Sequence, residues 1–172
     1  MTDLLGGILL IGGSFGLGCL YLEKEKRRME ELKRMAYLFR LMKSEITFKR
    51  QPLPYACKAS GEKLSGEVGR ILEEISEEME AGKGESFAGL WREKWRSYIK
   101  ESTLSKEEQS RVLEFASFVG YEEIQMQENM MEGQIEEFIL LAGKVREELE
   151  KKKRVVLTLS TCLGIIFVLI LL

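Results

Sequence analysis

Hydrophobic and polar residues are segregated on two scales in this chain. On the coarse scale, residues 4–22 and 155–172 carry no charge, and every charged residue except Asp3 lies between them. On the fine scale, the charged middle turns apolar at helical intervals. Leu32, Met35, Phe39, Met42 and Ile46 recur at steps of 3, 4, 3 and 4, which keeps them on one face of an α-helix. Leu38 and Leu41 widen that stripe, and the spacing predicts a helix over 29–48. It ends near Gln51-Pro52-Leu53-Pro54, because proline removes a backbone donor and pushes the preceding residue out of the helical region. A short helix with proline in its first turn follows through Ala59, and Gly61 to Gly66 reads as a loop.

The pattern then repeats. Val68, Ile71, Leu72, Ile75 and Met79 predict a helix that Gly82-Lys83-Gly84 ends. Phe87, Trp91, Trp95 and Tyr98 line one face of the next. Ser105 and Glu108 form a capping-box signal that opens a fifth, with Val112, Phe115, Ala116 and Val119 buried and Gly120 as its stop. A last helix starts near Glu122. Its stripe of Met131, Ile135, Phe138, Ala142, Val145 and Leu149 alternates steps of 4 and 3. No Gly-Pro break parts it from Val155, so it runs on into the second uncharged stretch, about 75 Å if unbroken. Strand-like alternation is missing throughout. The expected fold is all-α: a helical bundle over 23–154, flanked by membrane helices at 1–22 and 155–172.

At the α-helical rise, the two uncharged stretches reach about 28 and 27 Å, close to the thickness of a bilayer's hydrocarbon core. Six glycines weaken the first. A cleaved signal peptide, however, needs a basic start and a small-x-small site, and the chain opens Met1-Thr2-Asp3. Lys24, Lys26, Arg27, Arg28, Lys33 and Arg34 follow the first stretch; Lys144, Arg146 and Lys151 to Arg154 precede the second. The outer flanks carry no cation. Both stretches therefore orient the middle toward the cytoplasm in a cell membrane. Gly12 and Gly16, with Ser14 and Gly18, are small-xxx-small pairs in the first stretch, and Ser160 and Gly164 match them in the second. They suit packing of the two spans within one chain or docking on another membrane protein.

Composition narrows the chemistry. With 26 Lys+Arg against 28 Asp+Glu, the chain is no basic nucleic-acid binder. It has no His, so imidazole bases, imidazole-ligated zinc and Glu-x-x-His di-metal bundles are excluded. Three cysteines without a CxxC make no disulfide framework, and Cys57 beside Lys58 is a poor nucleophile without a base. The Gly82-Lys83-Gly84-Glu85-Ser86 run lacks the spacing of a phosphate loop. No catalytic residue, metal or cofactor is expected. The aromatic line from Phe87 to Tyr98 reads as core, while Met126, Met130 and Met131 suit either a partner surface or core filling. The residues favour an interaction protein over an enzyme.

Leu41-x-x-x-Glu45-Ile46 followed by Pro52-Leu53-Pro54, the helix ending at Gly82, and Phe115-x-x-x-Val119-Gly120 with Gln127 seven residues on resemble the stage III sporulation protein AB family. The basic stem from Lys151 to Arg154 fits as well. The chain departs from the family's usual pattern in having Val119 before the glycine and Glu122-Glu123 in place of an aspartate. That family in turn looks like the cytoplasmic domain of the type II secretion F, or platform, proteins. The resemblance implies a mother-cell membrane subunit of a channel-like assembly between mother cell and forespore, in contact with other channel subunits and a cytoplasmic ATPase. It makes Glu45, Pro52, Leu53, Pro54 and Gln127 candidate partner contacts. On the purely local reading, Glu45 pairs within the chain and Pro52 only turns it. From the heptad-like stripe at Met131 to Leu149, the alternative function is a membrane-anchored signal relay that dimerises through its last helix.

Overall fold

The computed structural model describes the backbone of residues 2–82, 84–119 and 124–171, and the side chains among these outside 2–18, 156–157 and 160–171. Six α-helices account for nearly all of it: α1 (Thr2–Lys43), α2 (Leu53–Gly61), α3 (Glu67–Glu80), α4 (Phe87–Glu101), α5 (Lys106–Glu114) and α6 (Ile124–Leu171). No strand occurs among the described residues, in agreement with the sequence pattern.

α1 and α6 form one antiparallel hairpin. At one end, Lys152 Nζ donates to Tyr21 Oη at 2.6 Å and lies 4.7 Å from the centre of that ring. At the other, Lys43 Nζ pairs with Glu128 at 3.3 Å. Two apolar stripes meet between these ends. Leu32, Met35, Phe39 and Met42 from α1 are buried with Met131, Ile135, Phe138, Ala142 and Val145 from α6. Most of the stripe that motivated the signal-relay alternative therefore packs against α1, with Leu149 only partly buried.

The four short helices pack on this hairpin. Phe39 stacks on Phe115 at 4.2 Å and meets Phe138 edge-on at 5.3 Å. Phe115 also touches Trp91 at 5.5 Å, and the contacts continue through Trp95 to Tyr98. The aromatic line of α4 is therefore core, and Trp91 Nε1 satisfies itself on the Val112 carbonyl at 2.8 Å. The capping box opens α5 as expected: Ser105 Oγ accepts from the Glu108 amide, and Glu108 accepts from the Ser105 amide at 2.7 Å. Glu108 further takes a two-pronged bond from Arg28 on α1, at 2.7 and 3.1 Å. A cation flanking the first uncharged stretch thus also fastens α5 to the hairpin.

Several boundaries differ from the sequence reading. α1 is unbroken from Thr2, and its end widens into a π turn at Ser44–Phe48, where the Thr47 hydroxyl donates to the Lys43 carbonyl. Gly61 closes α2 and is no part of a loop. It meets Gly69 on α3, where an added Cβ would stand 2.1 Å from the Leu64 carbonyl oxygen and 2.9 Å from that of Gly61. That closeness, which only glycine permits, lets α2 and α3 touch backbone to backbone. After α5 the chain tightens into a 3₁₀ turn at Phe115–Phe118, which turns Phe115 and Ala116 inward. Gly120 and Glu122, predicted as a helix stop and start, lie outside the described residues, as do the side chains of Gly12, Gly16, Ser160 and Gly164. So do most other side chains of the two predicted spans, although their backbone is helical over 2–22 and 155–171. Among the described residues no helix is long and apolar enough to cross a membrane.

Candidate functional site

The candidate partner contacts named from the sequence lie toward one end of the hairpin. Glu45 follows the last α-turn of α1, and Pro52, Leu53 and Pro54 lead into α2. Gln127 sits in the first turn of α6, beside the Glu128 that pairs with Lys43. Residues far apart in sequence thus share the tip farthest from Tyr21 and Lys152.

Their side chains do different things there. Glu45 is fully buried. One carboxylate oxygen accepts from Lys49 Nζ at 2.9 Å and from Lys63 Nζ at 2.7 Å, while the other is buried without a hydrogen-bond partner. Burial pushes this carboxyl up, but the two lysine bonds outweigh it and hold it below the usual carboxylate range. The Glu45 carbonyl also accepts from the Gln51 amide at 3.0 Å, and Arg50 between them takes a left-handed φ of 52°. Glu45 is therefore a clamp that folds the π turn, the following bend and the start of the α2–α3 loop onto one point. Pro52 caps α2, placing Pro54 in its first turn, and the Pro54 carbonyl accepts from Ser76 Oγ on α3 at 2.8 Å. Gln127 is buried. These arrangements match the local reading of Glu45 and Pro52.

Among exposed polar side chains such as Lys49, Arg50 and Gln125, the tip also exposes large apolar ones. Phe48 is 72% exposed, Ile124 60% and Tyr55 57%, and Met126, two residues after Ile124, is exposed as well. Exposed large apolar side chains become a candidate partner surface when they form a contiguous patch. Sequence periodicity assigned Met126 a choice of roles but did not single out Phe48, Tyr55 or Ile124. The available signal was phase: Phe48 falls two residues after Ile46, off the buried stripe of α1. The Lys63 contact had no sequence signal, because only folding of α2 brings it to Glu45.

Cys57 and the Gly82-Lys83-Gly84 run were the other chemical candidates of the sequence. Cys57 is buried and its thiol is pushed up to about 12 by desolvation, so it stays protonated and unreactive. Gly82 and Gly84 adopt positive φ of 66° and 79° in a turn between α3 and α4, with no strand leading into it. Among the described residues, no group of three or more acidic or cysteine side chains is arranged to hold a metal ion.

Comparison with known proteins agrees with the helical architecture. A family model described as stage III sporulation protein AB matches residues 3–172. Comparison with curated proteins gives no match. A solved structure titled stage III sporulation protein AB (SpoIIIAB) superposes with a TM-score of 0.64 at 14% identity, over 72% of this chain and 97% of that one.

Proposed function

We propose, starting from the fact that this chain belongs to the stage III sporulation protein AB family, that it is a non-enzymatic platform subunit of a sporulation channel. Residues 4–22 and 155–172 anchor it in the mother-cell membrane, its helical body lies in the cytoplasm, and its tip docks a cytoplasmic ATPase of the same assembly. The antiparallel hairpin is the observation that carries this reading. The Tyr21–Lys152 contact sets the end of one uncharged stretch level with the start of the other. Two anchors leaving from one level fit a single bilayer on that side. The opposite end carries the exposed Phe48, Tyr55 and Ile124, farthest from the anchors and open to a cytosolic partner.

The same hairpin suits a mechanical role. A helix of 48 residues without a described break spans about 70 Å. Its apolar stripe against α1 makes tip and anchors one packed unit, so a load on the tip reaches the membrane without unfolding a linker.

Co-purification tests the reading. The full chain, extracted in detergent from sporulating cells, is expected to bring down the ATPase. Phe48→Glu with Ile124→Glu is expected to abolish that capture while leaving helicity and Tm unchanged, since both side chains are exposed. Failure of the unaltered chain to capture any ATPase, or undiminished capture by the double variant, overturns the docking role.

A further inference from the structure

Away from the tip, the hairpin carries a groove that the docking reading does not use. It lies between α1 and α6, is open to solvent and measures about 310 Å³. α1 lines it at positions 33, 36, 37 and 40, and α6 at 139, 142, 143 and 146. Both sets follow the i, i+3, i+4, i+7 spacing of one helix face, so two rows of side chains run along the helix axes with the groove between them. Its floor is small: Ala36 and Ala142 are buried, and a Cβ added to Gly143 meets nothing within 4 Å. Tyr37 and Ile139 line the same groove and are about half exposed, which makes its apolar surface contiguous.

The rim is positive. Lys33 and Arg40 are exposed and stand about 10 Å apart along α1. Neither makes a hydrogen bond or an ion pair among the described residues. The third cation, Arg146, donates to Glu150 at 3.3 Å. No lining residue is acidic.

A trough between two helices accepts the ridge of a third, because side chains three and four residues apart on the incoming helix fall between the two rows. A floor of alanine and glycine lets its backbone come close. We infer that this groove seats an acidic amphipathic helix of another protein, its apolar face on Ala36, Ile139 and Ala142 and two carboxylates, about two turns apart, on Lys33 and Arg40. A second copy turned groove to groove sets cation against cation. Lipid is also a poor occupant on the anchoring proposed above. Lys33 lies about 18 Å along α1 from Tyr21, past a headgroup layer of about 5–8 Å. The inference does not rest on ATPase docking, because no lining residue belongs to the exposed tip.

The test is a photo-reactive residue installed at Ile139 of the full chain in sporulating cells, with the adducts sequenced by mass spectrometry. The expected adduct is a segment of a different protein with apolar residues at helical spacing and acidic residues about seven positions apart. Lys33→Glu with Arg40→Glu is expected to cut its yield about tenfold, since like charge then meets like. Lys24→Glu with Lys151→Glu, which reverses two exposed cations outside the groove, is expected to leave the yield unchanged. So is Phe48→Glu with Ile124→Glu, which separates the groove from the tip. All these side chains are exposed, so circular dichroism stays unchanged in every variant. No adduct, an adduct only with lipid or with a second copy, or a yield indifferent to the rim reversal overturns the inference. So does an adduct that disappears with the tip variant.

Discussion

The hairpin of α1 and α6 and the layer of short helices α2 to α5 solve the problem of staying folded in different ways. The hairpin relies on repetition: two long stripes interlock over many turns, and no single contact fixes their register. The short helices have too few turns for that, since isolated helices of 9 to 15 residues are marginal in water. They are tied down by point contacts instead. Gly69 meets the Leu64 carbonyl, Ser76 the Pro54 carbonyl and Trp91 the Val112 carbonyl, while Glu108 meets Arg28 and Glu31 accepts from the Thr103 amide at 2.9 Å. Redundant packing tolerates change, whereas point contacts do not.

Substitutions can break this contrast. Phe39 belongs to both regions, so Phe39→Ala is expected to have the largest effect, a loss of about 4 kcal/mol with hairpin and short helices melting together. Urea unfolding followed by tryptophan fluorescence and by circular dichroism should give coincident midpoints. Gly69→Ala comes next, at about 3 kcal/mol, because the added methyl strikes backbone that no rotamer change can move. Hydrogen exchange should rise first in α2 and α3 while the centre of α6 stays protected. Equal loss of protection in α6 would mean that the two regions do not differ.

Smaller effects sharpen it. Arg28→Ala leaves the Glu108 carboxylate, 2% exposed, without its guanidinium, and a loss of about 2 kcal/mol is expected by urea unfolding. Acid reports on the same contacts. The Glu45 and Glu108 carboxyls, each pushed up by burial but pulled further down by Lys49 and Lys63 or by Arg28 and Ser105, sit below their ordinary value of 4.5. Their contribution is complete above pH 4.5 and is lost as pH falls through the folded-state values, because the unfolded chain then binds protons first. Thermal melts between pH 6 and 3 should show this decline, and Glu108→Gln should flatten it. At the smallest end, Gly133→Ala in α6 meets no neighbour and is expected to stabilise by about 0.7 kcal/mol, visible as a slightly raised Tm.

The same contrast separates what was legible in the sequence from what was not. The stripes at Leu32 to Ile46 and Met131 to Val145 were readable because a helix's buried face is a periodic property of one segment. The Ser105–Glu108 box was readable because both halves lie within a single turn. The Glu45 clamp was only half readable: Lys49 is one turn away, but Lys63 arrives from another helix's end. The Gly61–Gly69 contact left no trace beyond two glycines, one of them inside a helical pattern. The exposure of Phe48, Tyr55 and Ile124 was equally silent, since hydrophobicity alone does not say whether a residue faces core or partner.

By itself, then, the sequence determined the all-helical class, two uncharged ends around a charged body, and the faces each helix must bury, because these depend on residue type and local period. Only the tertiary structure decided that most of the last stripe packs within the chain, that Glu45 faces inward, and that Phe48, Tyr55 and Ile124 stay exposed. Those outcomes depend on which segments meet, and a one-dimensional pattern does not encode the geometry of that meeting.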